Sequence, residues 1–313
     1  MQFWLKKIKE VMSLLSTIGY EIYLPLSGKK QEIEQKKLRM EAGLVLKDRY
    51  KIINKLGAGG FGSTYLAEDT CLPGNPFCVV KHLKPINANT RILDVARRVF
   101  KTEAQCLHTL GQKHDQIPTL FAYFCEYDEF FLVLGFVEGN TLQFSGKKCQ
   151  EIEVVNLLVD ILQVLTFIHQ NDLIHRDIKP DNIIRSSSDN KLFLIDFGAV
   201  KQIIDSQGHL QANNLTIAIG TDGYMAPEQK VGHPTLRSDV FAVGMIGIQA
   251  LTGIKPHLLA VDNENSIIWH SKALQASSHL KAILDSMVQY QCRDRPHASE
   301  ALQALVELRD SIG

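Results

Sequence analysis

Apolar residues follow two different periods along this chain. From Tyr50 they come in short runs divided by turn residues: Tyr50, Ile52, Ile53 and Leu56, then 63–67 after a glycine-rich gap, then 77–81 after the Pro73 and Gly74 turn. Runs of this length and composition predict strands. Ile92, Val95, Val99, Ala104 and Leu107 recur instead at helical spacing and predict a helix over 91–110. Two more runs, 120–127 and 130–137, read as strands of a hairpin turning at Asp128. After Gly139 the period changes: 152–169 is apolar on most faces, as expected of a helix buried among others, and further helices are predicted over 239–252, 280–290 and 298–312. The fold class this order predicts is α+β, a small antiparallel sheet lobe with one helix over 47–138, a joint near 138–140, and a larger, mostly helical lobe over 139–313.

Residues 1–46 stand apart as an N-terminal extension. Trp4, Leu5, Ile8, Val11, Met12, Leu15 and Ile18 share one face of a predicted helix, with Lys6, Lys9, Glu10, Ser13 and Thr17 opposite. Residues 1–40 hold eight basic side chains against four acidic ones. Such a basic amphipathic helix suits an anionic membrane surface or a protein partner, and equally a helix packed on its own domain.

Composition adds exclusions. The 313 residues carry 34 basic and 34 acidic side chains, so no basic surplus points to nucleic acid. Apolar content of 45% and charged content of 22% are those of a globular protein. Six cysteines, at 71, 78, 106, 125, 149 and 292, show no clustered spacing, which argues against a metal or disulfide framework. The reading finds no apolar run near the roughly 20 residues that span a bilayer and no signal-peptide core, so the expected location is the cytoplasm, with peripheral membrane contact through 1–40.

Chemistry concentrates in 175–198. Asp177 offers a carboxylate, Lys179 a cation, Asn182 an amide oxygen, and Asp196, ahead of Phe197 and Gly198, a second carboxylate. Together they suit accepting a hydroxyl proton, neutralising a phosphoryl group and holding Mg²⁺, with Asn182 and Asp196 as the hard oxygen ligands. Upstream, Gly57, Ala58, Gly59, Gly60, Phe61 and Gly62 lie between two predicted strands, whereas a dinucleotide fingerprint opens a helix. Lys81, at a strand end 19 residues beyond Gly62, is placed to hold nucleotide phosphates. Glu103 on the next helix is the expected partner of Lys81, ahead of Asp94.

These motifs resemble the protein kinases of the eukaryotic-like (Hanks) type over about 47–313. The similarity is greatest to bacterial, especially cyanobacterial, members, through Asp115 to Pro118, the Tyr224 to Glu228 box and the compact C-terminal lobe. The resemblance implies a serine/threonine kinase dependent on ATP and Mg²⁺, with Mn²⁺ as an alternative metal and protein hydroxyls as acceptors. By the same likeness Asp177, Lys179, Lys81, Glu103 and Thr221 are catalytic, and Leu56, residues 57–62, Thr64, Val79, Lys81, Gly135, Val137 and Ile184 surround the nucleotide. Glu228 and Arg295 should form a buried ion pair, Asp239 should anchor the catalytic loop, and His175 should pack. Arg176 implies an activation loop ordered by phosphate on Thr216 first or Ser206 second, with Thr216 as a plain loop residue the equal alternative.

Three positions depart from the family. Gly135 replaces the usual hinge acid, where adenine is read by backbone groups, and Thr64 and Val79 stand where valine and alanine are common. The added bulk of Val79 implies modest nucleotide affinity. Two other readings compete with the kinase. A pseudokinase scaffold usually lacks one of Lys81, Asp177, Asn182 and Asp196, all present here, and a small-molecule phosphotransferase would not need Thr221 and the Ala226, Pro227, Glu228 platform.

Overall fold

The structure is a computed structural model that describes residues 39–58, 62–83, 90–126, 129–144, 146, 148–202 and 220–312. The predicted amphipathic segment 1–40, Asp128, Gly59 to Phe61, Ser206 and Thr216 lie wholly or almost wholly outside these residues.

An antiparallel six-stranded sheet forms the N-terminal lobe. It contains β1 (Val45–Leu46), β2 (Tyr50–Ala58), β3 (Gly62–Asp69), β4 (Phe77–Leu83), β5 (Leu120–Glu126) and β6 (Glu129–Gly135), in spatial order β1-β2-β3-β4-β6-β5. The sheet thus begins at Val45, two residues inside the segment read as extension. Its one helix, α1 (Thr90–Leu110), sits between β4 and β5 in sequence, as the 3.6-residue period predicts. Phe100, Ala104, Leu83 and Leu132 share a small core that binds α1 to the sheet. The β2–β3 register slips between Ile52 and Asn54 and again between Lys55 and Gly57, bending the ribbon on its way to the glycine loop. Gly62 is fixed by sheet packing: a Cβ there would lie 2.1 Å from the His82 carbonyl oxygen.

The expected joint at 138–140 is corrected. Gly139–Thr141 is β7, which pairs with β9 (Ile183–Ser186) beside β10 (Leu192–Leu194), so the connection between lobes is 136–138. Two-residue strands β8 (Leu173–Ile174) and β11 (Lys201–Gln202) pair with each other, and β12 (Ala260–Val261) with β13 (Ile267–Ile268) forms a small hairpin.

Helices make the rest: α2 (Glu151–Gln170), α3 (Pro227–Lys230), α4 (Leu236–Thr252), α5 (Ser278–Met287) and α6 (Ala298–Ile312). The α2 start is capped where Glu153 Oε2 accepts the Gln150 N–H at 2.7 Å. At α4, Ser238 Oγ accepts the Thr235 N–H at 2.9 Å, and Gly253 at φ 71° ends the helix. By length and composition α2 could cross a membrane, the one such helix among the described residues, which corrects the reading that no run approaches that length. Its apolar side chains are instead core: Val154, Leu158, Leu162, Leu165 and Ile168 are fully buried, and α2 packs against α4 and α6.

Candidate active site

The β9–β10 hairpin brings the metal-ligand candidates together. Ile183 pairs with Leu194, and the Ile195 N–H donates to the Asn182 carbonyl at 2.9 Å. Asn182, just before one strand, therefore lies next to Asp196, two residues beyond the other. Antiparallel pairing alone joins residues 14 apart in sequence.

Around Asp177 the side chains interlock. Lys179 Nζ lies 2.8 Å from Asp177 Oδ2 and donates to Thr221 Oγ1 at 2.8 Å. Thr221 in turn donates its hydroxyl to Asp177 Oδ1 at 3.0 Å. Asn182 Nδ2 donates to the Asp177 carbonyl at 2.8 Å and to Oδ2 at 2.9 Å. The Asn182 amide nitrogen is thus engaged on both sides.

The loop beneath them is held from the core. Asp239 on α4, 1% exposed, accepts the backbone N–H groups of His175 and Arg176 at 2.8 Å each, and its Oδ2 lies 3.0 Å from His169 Nε2. His175 is fully buried with its ring edge-to-face on Phe197, centroids 5.0 Å apart, a packing position. Burial depresses the His175 pKa, against the raising effect of the nearby Asp239.

A second cluster lies toward the sheet. Lys81 Nζ contacts Glu103 Oε1 at 2.5 Å and Asp196 Oδ1 at 2.8 Å, so β4, α1 and the segment after β10 meet on one ammonium. Lys81 is not a strand end, because β4 runs on to Leu83. Burial pulls the Lys81 pKa down, but Glu103 and Asp196 outweigh it and hold the ammonium charged. Lys81 lowers the Asp196 carboxyl to about 2 against the opposing effect of burial. At Glu103 burial dominates and raises the carboxyl, with Lys81 pulling the other way. Asp94 has no described side chain.

Several of the residues that the resemblance assigns to the nucleotide lie on paired strands. Val79 and Leu134 pair across β4 and β6, and Ile184 on β9 pairs with Thr141. Thr64 faces Lys81 across β3 and β4, while Leu56, Gly57 and Ala58 are exposed on β2. Gly135 donates its N–H to the Thr119 carbonyl at 2.9 Å, and a Cβ there would meet Phe121 Cζ only at 3.6 Å, so the missing acid is not a steric necessity. Val137 follows in the connection between lobes.

This donor set fits Mg²⁺ with a nucleotide. Asn182 and Asp196 bring oxygen donors on paired segments, the Lys81 contact of Asp196 falls on Oδ1, and Mg²⁺ characteristically takes one or two carboxylates with the remaining ligands from phosphate and water. No group of three or more His, Cys, Asp or Glu able to hold an ion by themselves occurs among the described residues.

Glu228 and Arg295 form the expected ion pair. Arg295 donates to Glu228 Oε1 at 2.7 Å and Oε2 at 2.9 Å, and to the carbonyls of Gln289 at 2.6 Å and Tyr290 at 3.0 Å. Sequence reasoning missed Gln229, buried beside Glu228, whose amide donates to the Arg176 carbonyl at 2.6 Å. A glutamine in a short polar stretch carries no signal that would have singled it out.

Comparison with known proteins agrees with this architecture. Residues 50–306 match the family model described as Protein kinase domain. The chain is similar to serine/threonine-protein kinase PknA of Nostoc sp., 43% identical over 83% of this chain and 47% of that protein. It is also similar to serine/threonine-protein kinases C and B of Synechocystis sp., 43% and 38% identical over 82% and 84% of this chain. These cover 49% and 47% of those proteins, so the chain spans about half the length of the curated relatives it matches. With the two-lobed fold, the interlocked Asp177 group and a matching model over most of its length, the chain belongs to the protein kinase family, on the branch of the bacterial Hanks-type serine/threonine kinases.

Proposed function

We propose that this chain transfers the γ-phosphoryl group of ATP to serine and threonine hydroxyls of protein acceptors. The observation that carries the reading is the closed set of contacts among Asp177, Lys179 and Thr221, because it joins a proton acceptor, a cation and the acceptor platform in one place. Asp177 Oδ1 and Oδ2 accept the hydrogen bond, and then the proton, of the incoming hydroxyl. Lys179 Nζ, within 2.8 Å of that carboxylate, offsets the charge growing on the transferring group. Lys81, oriented by Glu103, holds the α- and β-phosphates, and Asn182 Oδ1 with Asp196 Oδ2 would hold Mg²⁺. Bound there, the metal supplies Lewis-acid neutralisation of the phosphate oxygens.

Acceptor class is supported by Lys179, by Thr221 with the Glu228-anchored platform, and by the names of the relatives. A pseudokinase scaffold is disfavoured, since Lys81, Asp177, Asn182 and Asp196 are all in place. Autophosphorylation at Thr216, or second at Ser206, would give Arg176 an anionic partner. An unchanged phosphopeptide map and rate in Thr216→Ala would remove that element. The extension is read as a membrane or partner contact, and equal liposome binding with and without residues 1–40 would reduce it to an inert prefix.

The reading is tested by incubating the full chain with labelled ATP, Mg²⁺ or Mn²⁺ and a generic protein acceptor, followed by phosphoamino-acid analysis. Label in phosphoserine or phosphothreonine is the expected result. No incorporation into acceptor or enzyme at any metal level would favour the scaffold.

A further inference from the structure

Asp177 follows a residue held in an uncommon backbone state. Arg176 has φ 68°, in the left-handed region that a residue with a Cβ adopts only when its surroundings impose it. Three contacts do so here. The Arg176 N–H donates to Asp239 Oδ1 at 2.8 Å, the Arg176 Nε donates to the Ala199 carbonyl, and the Arg176 carbonyl accepts from Gln229 Nε2 at 2.6 Å. The first two come from α4 and from the segment beyond Asp196. The third comes from α3, the short helix that also carries Glu228.

The Arg176 carbonyl and the Asp177 N–H share one planar peptide unit, so fixing that oxygen fixes the plane from which the Asp177 Cα departs and narrows the directions open to its side chain. The Gln229 side chain is well seated for this task. It is 3% exposed, and its neighbour Glu228 is tied to Arg295 and Ser238, which gives α3 a rigid base. Space beside the amide is closed off by Gly220, which adjoins Thr221. At φ 146°, a Cβ on Gly220 would lie 2.8 Å from Gln229 Nε2 and 3.1 Å from the Arg176 oxygen. The catalytic loop, the segment bearing Thr221 and the platform helix therefore converge on one side-chain amide.

We propose that Gln229 is a positioning residue for phosphoryl transfer. Its amide holds the Arg176–Asp177 peptide plane against the acceptor platform, so that Asp177 and Thr221 keep their spacing when a hydroxyl arrives. The inference rests on the reading of Asp177 as the proton acceptor. Chemistry at 229 matters because a buried carbonyl needs a donor: a thioether offers none, and a carboxylate presents oxygen to oxygen. Lys81, Glu103 and Asp196 belong to other elements, so catalytic rate and nucleotide binding should separate.

The test uses the full chain carrying Gln229→Met or Gln229→Glu, with Asp177→Asn alongside, at saturating Mg-ATP and protein acceptor. A displacement of order 1 Å in a reacting group costs about 10²-fold, so kcat should fall about tenfold or more in both variants while KM for ATP stays within about twofold. Should Gln229→Met fail to fold, the size-conserving Gln229→Glu decides. A folded variant with kcat within about twofold of the parent overturns the proposal. So does a loss of kcat that is matched by loss of ATP affinity and of melting temperature, which would assign Gln229 to packing alone. If Asp177→Asn is inactive while both Gln229 variants run at the parental rate, only this inference fails. If Asp177→Asn itself keeps the parental rate, the reading of Asp177 fails with it.

Discussion

Two of the ion pairs that join distant segments among the described residues are built differently. Arg295 and Glu228 lie 67 residues apart, and the Arg295 side chain has no exposed surface. Both carboxylate oxygens are bonded by the guanidinium, the Gln289, Arg237 and Tyr290 carbonyls take further N–H groups, Ser238 adds its hydroxyl at 2.5 Å, and the Phe241 ring lies 4.9 Å from the guanidinium carbon. Lys81 is shared instead by two carboxylates, Glu103 and Asp196, and the Asp196 side chain is 45% exposed. The first site is closed, with charge balanced and donors engaged. The second sets one ammonium against two carboxylates, one negative charge in excess. A satisfied buried pair is architecture, whereas an unbalanced, partly exposed group of charges is suited to a cation and a polyphosphate.

That contrast is broken most severely at Arg295. Removing one partner of a buried pair strands the other, so Arg295→Met should lower stability by about 3–5 kcal/mol. Chemical denaturation would measure this, and an unchanged midpoint would mean that the pair is not architectural. Lys81→Met should do the reverse, lowering kcat/KM by about 10²-fold, roughly 2.7 kcal/mol of activation free energy, with a far smaller change in melting temperature. Steady-state kinetics beside a thermal melt would show it. A variant that melts as low as Arg295→Met would erase the distinction. Thr221→Val removes one hydrogen bond to Asp177 and the acceptor for Lys179, and the expected effect is about tenfold in kcat with KM for ATP unchanged.

The smallest effect concerns pH. The folded Asp196 carboxyl lies at about 2, below its usual value, so its link to Lys81 adds stability that is complete above the unfolded pKa. That contribution is lost as pH falls from about 4 through about 2, and exposure of the carboxylate keeps it small. Melting curves should show the difference between the parent and Asp196→Asn shrinking over that window. A difference constant down to pH 2 would contradict the ionic link.

Much of this was legible in the sequence because its signals are local. The glycine loop between strands, the helical run carrying Glu103 and the Asp177, Asn182 and Asp196 spacing each lie within one segment. Helix α6 matches its periodic run from end to end. Other features depend on distant partners. The strands β8 and β11 are two residues each and too short to carry a period, and they exist through each other. Helix α4 begins three residues before the expected position because Thr235 and Ser238 form its cap and the polar residues of the first turn hid the start. Helix α5 stops at Met287, short of the apolar Tyr290, because Val288 leaves helical geometry and Tyr290 gives its carbonyl to Arg295. Gln229 was invisible for the same reason: its partner is a backbone carbonyl 53 residues away.

The account turns on Asp177 as the group that accepts the acceptor's proton. The direct measurement is the initial rate of phosphate transfer to a serine- and threonine-bearing protein by the full chain and by Asp177→Asn, compared at equal nucleotide occupancy. General-base assistance is worth about 10²–10⁴-fold, so the variant should bind Mg-ATP normally and transfer at least about a hundredfold more slowly. Equal transfer rates at equal occupancy would contradict the account.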